Sequence, residues 1–192
     1  DAFAQIVRRH SGMVYGVCRR VLGDSHAAED VTQECFMELA EKPHRVRHSL
    51  RGWLHTTATR RSIDRIRRDS TRRRHEDAIP PAGADVRPSW QMLAPELDKA
   101  IESLPEELRV PLVAHYLEGY TQSEVALQVG VRQPTVSRRL NEALTRLRGK
   151  LEGAGVPATV PALVSLLHRA HTGAPAGLVA HLENVGASAG GT

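Results

Sequence analysis

Apolar residues recur at intervals of three and four through most of the chain, the spacing of helices with one buried face. Phe3, Ile6, Val7, His10, Val14, Val17, Cys18, Val21 and Leu22 trace one long amphipathic helix that ends at Gly23. Asp24 or Ser25 can cap a second helix, striped by Ala28, Val31, Cys35 and Leu39 and followed by Pro43. A third is predicted from about Ser49 into the seventies, with Leu50, Trp53, Leu54, Ala58, Ile63 and Ile66 turned inward. Three such helices form a compact bundle.

Between Glu76 and Ala94 the periodicity breaks at Pro80, Pro81, Gly83 and Pro88, the composition of a flexible linker. Beyond it, Leu97, Ile101 and Leu104 predict a short helix stopped by Pro105, which can sit in the first turn of the next. Leu108, Leu112, Val113, Tyr116 and Leu117 give that next helix its apolar face, and Pro111 inside it predicts a bend. Helices from Thr121 to Val129 and from about Gln133 to Leu151 flank a turn at Gly130. After Gly153, Val160, Leu163, Val164 and Leu167, then Leu178, Val179 and Leu182, mark two short helices in a segment expected to be partly disordered. Strand patterns are almost absent, so the fold class is all-α. Two helical domains are expected, with bounds 1–75 and 95–152, joined by a flexible linker over 76–94 and followed by a C-terminal extension over 153–192.

Composition changes the picture only modestly. With 192 residues, 41% of them apolar, the chain can bury a core. A net charge of +4 and a pI near 9.5 suit a polyanionic partner without identifying one. Cys18 and Cys35 lie inside apolar helical patterns, so they read as buried thiols in a reducing compartment. No apolar run approaches the roughly 20 residues of a membrane span, and no basic segment leads into an apolar core at the start. The expected setting is cytoplasmic, without membrane insertion. Residue 1 is Asp, which leaves open whether the chain is trimmed.

The strongest local motif is TQSEVALQVGVRQPTVSRRL, residues 121 to 140, laid out as a helix-turn-helix. Ala126 is small where the helices cross, Gly130 permits the turn, and Val125, Val129, Val131 and Val136 fill the space between them. The second helix offers Arg132, Gln133, Thr135, Ser137, Arg138 and Arg139, a mixture of base-edge readers and phosphate binders suited to a major groove. An ordinary helical hairpin with a solvated face is the alternative. Glu142 interrupts the basic face before it resumes at Arg146 and Arg148.

Upstream, Arg60, Arg61, Arg65, Arg67, Arg68, Arg72, Arg73 and Arg74 form a basic run in which Asp64 and Asp69 are the only acidic residues. On a helix, Arg60, Arg61, Arg65 and Arg68 fall on overlapping faces, a ridge able to track a phosphate backbone or a solvated helix end. Residues 27 to 36, AAEDVTQECF, place Glu29, Asp30, Gln33 and Glu34 on the polar side of the second helix. That face could dock a basic protein partner, while on the residues alone a solvated face is the more natural account.

Taken in order, GDSHAAEDVTQECF, LRGWLHTTATRRSIDRIRR and LPEELRVPLVAHYLEGYTQSEVALQVGVRQPTVSRRLNEALTRLR resemble an extracytoplasmic-function (ECF) sigma factor of the sigma-70 superfamily, over about residues 2 to 151. The order and spacing of the motifs are more specific than any one of them. The resemblance implies a region 2-like domain, a region 4-like domain and two partners, core RNA polymerase and promoter DNA; it leaves room for an anti-sigma factor. Asp30, Gln33, Glu34 and Phe36 match the helix that docks on the clamp coiled coil of the polymerase's largest subunit. Trp53, Arg60, Arg61, Asp64 and Arg67 match the helix that meets the minus-ten element, with His44 to His48 placed where a flipped base is captured. Arg132, Thr135, Ser137, Arg138 and Arg139 match the helix entering the major groove at the minus-thirty-five element, Arg138 and Arg139 being the foremost candidates for phosphate and guanine contacts. Around His44 to Arg61, Trp53 is the only aromatic residue apart from histidines, so strand opening is expected to need a good promoter match. The extension has no counterpart in the minimal two-domain plan; it could bind a regulator, fold back on the domains or do nothing.

Enzyme chemistry finds little support. His44 with His48, and His168 with His171, could share helix faces but have no convincing third ligand, so no metal and no cofactor are expected. Glu106 and Glu107 suit a helix N-terminus and need no acid/base role. The competing reading is a stand-alone helix-turn-helix regulator, which leaves the first bundle without a task.

Overall fold

The computed structural model describes residues 2–46, 49–76, 90–156, 159–169 and 173–189, and among them every regular element is helical. Helix α1 (Ala2–Leu22) ends at Gly23, whose φ of +74° favours glycine. Asp24 caps α2 (Ser25–Glu41), its carboxylate accepting from the Ala27 amide at 2.8 Å. That bond holds the carboxyl below the usual carboxylate range. A 3-10 turn (Pro43–Arg45) leads to α3 (Leu50–Glu76). These three helices pack on one another, as the periodicity predicts.

Helix α1 differs from its expected form. The spacing predicts one buried stripe, yet Met13 and Tyr15 are buried as well as Val14, Val17 and Cys18. A helix apolar on every side must be covered on every side. The second side is supplied from beyond the linker by α4 (Trp90–Glu102) and from the chain's end by α9 (Ala176–Ala189). Ile66 departs in the opposite sense: it is 40% exposed, on the rim of a groove with Leu22 and Ala27, because α3 outruns the bundle.

Helix α4 begins at Trp90, inside the stretch expected to be linker, and α3 extends to Glu76; residues 77–89 lie outside the described residues. Pro105 precedes α5 (Glu106–Leu112) as its N-cap rather than entering it. The distortion expected at Pro111 takes the form of a π-helical turn (Val113–Leu117), in which the Glu118 amide donates to the Val113 carbonyl five residues back at 3.1 Å. Helix α6 (Gln122–Val129) carries a full capping box: Thr121 Oγ1 accepts from the Glu124 amide at 3.3 Å and Glu124 accepts from the Thr121 amide at 2.8 Å. Gly130, at φ +68°, turns the chain into α7 (Gln133–Gly153).

The described residues after Gly153 form two helices. Helix α8 (Val160–Arg169) packs on α7 and the π turn, and α9 packs on α1 and α2. The core is therefore continuous across both halves of the chain, from Val14 and Phe36 through Ile101 and Leu112 to Leu147, Leu167 and Leu182.

Charged side chains pin the two halves together. Arg20 donates to both oxygens of Asp98, at 3.0 and 3.2 Å, and His55 Nε2 lies 3.3 Å from the same carboxylate. Asp98 and His55 are fully buried and Arg20 is 8% exposed. Burial pushes the Asp98 carboxyl up, but Arg20 and His55 outweigh it and hold it below the ordinary range. A second knot forms at Glu118, which receives His10 Nδ1 at 2.6 Å and the Arg51 guanidinium; Arg51 also donates to Gln128 at 2.9 Å. Arg9 and Arg51 lie over the Tyr120 ring, 5.2 and 5.4 Å from its centre.

Candidate nucleic-acid interface

The helix-turn-helix forms as the motif requires. Val125 and Val136 are fully buried, Ala126 is 5% exposed, and Val129 and Val131 are half-buried between α6 and α7. The opposite side of α7 faces solvent. Arg132 caps the helix by position, and Arg132, Gln133 and Arg138 are exposed, with Thr135, Ser137 and Arg139 half-buried beside them. Gln133 donates to Gln122 at 2.8 Å, which ties the start of α7 to α6. Glu142 pairs with Arg146 at 2.8 Å, so its charge is turned along the helix. Six candidate side chains thus lie along one open helix start, a shape that enters a major groove.

The arginine ridge of α3 is more engaged than its sequence suggests. Arg60 donates to Glu102 of α4 at 2.5 Å. Arg61 donates to Glu38 at 2.6 and 3.1 Å and to Glu34 at 2.7 Å, both on α2. Arg65 pairs with Asp69 at 3.3 Å, Arg68 donates to the Asp64 carbonyl at 3.3 Å, and Arg67 lies 3.5 Å from the Asp64 carboxylate. Five acidic side chains and one carbonyl thus occupy the row that would meet phosphate. The side chains of Arg72, Arg73 and Arg74 lie outside the described residues.

Glu38 is the residue that sequence reasoning missed. It holds Arg61 and also accepts from Arg45 of the 3-10 turn at 2.8 Å, joining α2, the turn and α3. Its hydrogen bonds from Arg61 keep its carboxyl below the usual range. A helical wheel gives a signal, since Glu34 and Glu38 are one turn apart, but their partner is more than twenty residues away and only the packing of α2 on α3 supplies it.

On α2, Asp30 is exposed and Gln33 and Glu34 are half-buried. Phe36 is fully buried and meets the Phe3 ring edge-on with centroids 6.4 Å apart, so it supports the helix from below and offers no surface to a partner. Trp53 is half-buried and lines a cleft of about 200 Å³ with Arg45, Ser49 and Thr56, closed on its far side by Glu106 and Arg109 of α5. His44 is exposed beside it; His48 and Arg47 lie outside the described residues, as do the side chains of His168 and His171. Among the described residues no three His, Cys, Asp or Glu side chains converge as a metal site, and no helix is long and apolar enough to cross a membrane.

A helical protein with an open helix-turn-helix, an arginine-lined helix and an acidic helix face belongs among the DNA-binding proteins of transcription. Comparison with known families narrows this. Residues 6–72 match sigma-70 region 2, and residues 95–147 match sigma-70 region 4. The chain is 31% identical over 155 residues to the ECF RNA polymerase sigma factor SigE of Mycolicibacterium smegmatis, covering 77% of this chain and 60% of that protein. It is 28% identical over 163 residues to SigK of Mycobacterium bovis, covering 79% of this chain and 86% of that one. Among solved structures, the sigma factor RpoE bound to the anti-sigma factor NepR from Bartonella quintana aligns with 79% of this chain and 97% of its own, at 18% identity and a TM-score of 0.40. The chain belongs to the ECF family of RNA polymerase sigma factors.

Proposed function

We propose that this chain binds core RNA polymerase, carries it to a selected set of promoters and helps to open them. The polar face of α2, with Asp30, Gln33 and Glu34, docks on a basic surface of the polymerase, and Phe36 fixes the helix beneath it. Helix α3 meets the minus-ten element through Trp53, Arg60, Arg61, Asp64 and Arg67. The Trp53 cleft and the turn at His44 receive an extruded base, whose unstacking costs a few kcal/mol that the cleft must offset. Helix α7 enters the major groove of the minus-thirty-five element, with Arg132, Gln133, Thr135, Ser137, Arg138 and Arg139 turned to it. The two domains are assigned to about 1–75 and 95–152. The chain acts where core polymerase acts, in the cytoplasm, and its DNA-facing surfaces are the natural targets of an anti-sigma partner.

One observation supports this reading above the others: a solvent-facing helix start on a capped helix-turn-helix stands in the same chain as a helix whose arginines adjoin an acidic docking face. Run-off transcription with purified core polymerase on a genomic fragment library is the test. Transcripts that depend on the protein and share a pair of upstream elements are expected. Operator binding by the protein alone, without such transcripts, would overturn the reading in favour of a stand-alone regulator.

A further inference from the structure

Helices α8 and α9 have no part in the two matched regions, which end at Leu147, yet between them they touch both halves of the molecule. Helix α8 buries Leu163 and Leu167 against α7 and the π turn. Helix α9 buries Leu178 and Leu182 against α1 and α2, and Glu183 accepts from Arg8 of α1 at 2.6 Å. Helix α8 therefore holds the helix-turn-helix half and α9 holds the half that carries the acidic docking face.

The closed arrangement is incompatible with reading a promoter. Elements at minus ten and minus thirty-five lie roughly 25 base pairs apart, about 85 Å of duplex at ~3.4 Å per pair. The halves instead share one core, and Glu102 occupies Arg60. The stretch from 77 to 89 is long enough to let them part by tens of ångströms, at ~3.3–3.6 Å per residue. Parting also requires the tail to release one of its two seats.

We propose that α8 and α9 together act as an intramolecular clasp, and that α9 is the end which core polymerase displaces from the α1–α2 pair. The proposal rests on the sigma-factor reading above. Helix α9 is the end to yield because its seat includes α2, the helix assigned to polymerase docking, whereas α8 sits on the far half. Tethering gives α9 a local concentration on the order of mM, so a modest interface adds to the shared core and the Asp98 knot in holding the chain closed until polymerase competes for α2.

The test is equilibrium binding of the full chain to core polymerase, alongside hydrogen exchange of residues 176–184 in the free protein. Glu183→Arg and Arg8→Glu each break the exposed ion pair and should tighten polymerase binding roughly two- to fivefold. The double exchange Arg8→Glu with Glu183→Arg should restore the wild-type affinity. Leu182→Asp, which unseats the apolar contact, should raise exchange across 176–184 and tighten binding further. If the wild-type chain binds polymerase and none of the variants binds it more tightly, the clasp is refuted while the sigma reading stands. If the wild-type chain does not bind polymerase at all, both fall. A charge swap that fails to restore wild-type affinity would also refute the clasp, since the single effects would then be those of charge alone.

Discussion

Replacing Asp98 by Asn tests whether the buried charge knot fixes the two halves of the molecule together. Asn keeps the shape of the side chain and removes its charge, which leaves the Arg20 guanidinium 8% exposed and opposite a neutral amide. Breaking a buried pair by removing one partner costs about 3–5 kcal/mol, because an uncompensated charge stays behind. At about 1.4 kcal/mol per decade this is a loss of roughly two to three and a half decades in the folding constant. For a chain of this size the same loss lowers the melting temperature by about 2–4 °C per kcal/mol, or on the order of 10 °C. The assay is urea unfolding of both proteins, followed by helical circular dichroism and by tryptophan fluorescence; the continuous core predicts coincident transitions in the wild type. A pH series adds an independent check. The Asp98 carboxyl titrates below its ordinary value in the folded protein, so its contribution is complete above about pH 4, where the unfolded group ionises. It disappears as pH falls through the lower folded value, and this acid-linked loss should be missing in the variant. Destabilisation under about 1 kcal/mol, with an unchanged acid limb, would refute the reasoning.

Three further outcomes are expected. Asp30→Ala should weaken association with core polymerase several-fold in a binding assay while the melting temperature holds, since Asp30 is exposed and holds up nothing in the core. Arg138→Ala should weaken promoter binding and lower the slope of log affinity against log salt by about one; an unchanged slope removes the phosphate assignment. Gly130→Ala should cost about 1–2 kcal/mol in urea unfolding, entirely through the backbone, because a Cβ there meets no atom within 4 Å while φ is +68°.

Much of the candidate site was legible in the chain because it depends on local rules. The helix-turn-helix needs a small residue at the crossing, a glycine at positive φ and four valines at set intervals, and Ala126, Gly130, Val125, Val129, Val131 and Val136 all lie within twelve positions. Helix starts were equally local: Asp24 and Thr121 cap with oxygens that only a short polar side chain can offer. The arginine run was visible too, but its state was not. Whether Arg61 meets solvent or a carboxylate depends on Glu34 and Glu38, which one turn of α2 presents to it only after α2 packs on α3.

The sequence by itself determined that this protein is helical, where its helices begin and end to within a few residues, and where its helix-turn-helix lies, since periodicity, caps and turn residues act over a few positions. Tertiary structure alone decided that the two halves share a core, that the Asp98 and Glu118 side chains are buried anchors rather than surface charges, and that α8 packs on one half and α9 on the other. The physical reason is distance along the chain. A carboxylate on a helix looks the same whether it faces water or an arginine 78 positions away, and only the folded chain brings Arg20 to Asp98.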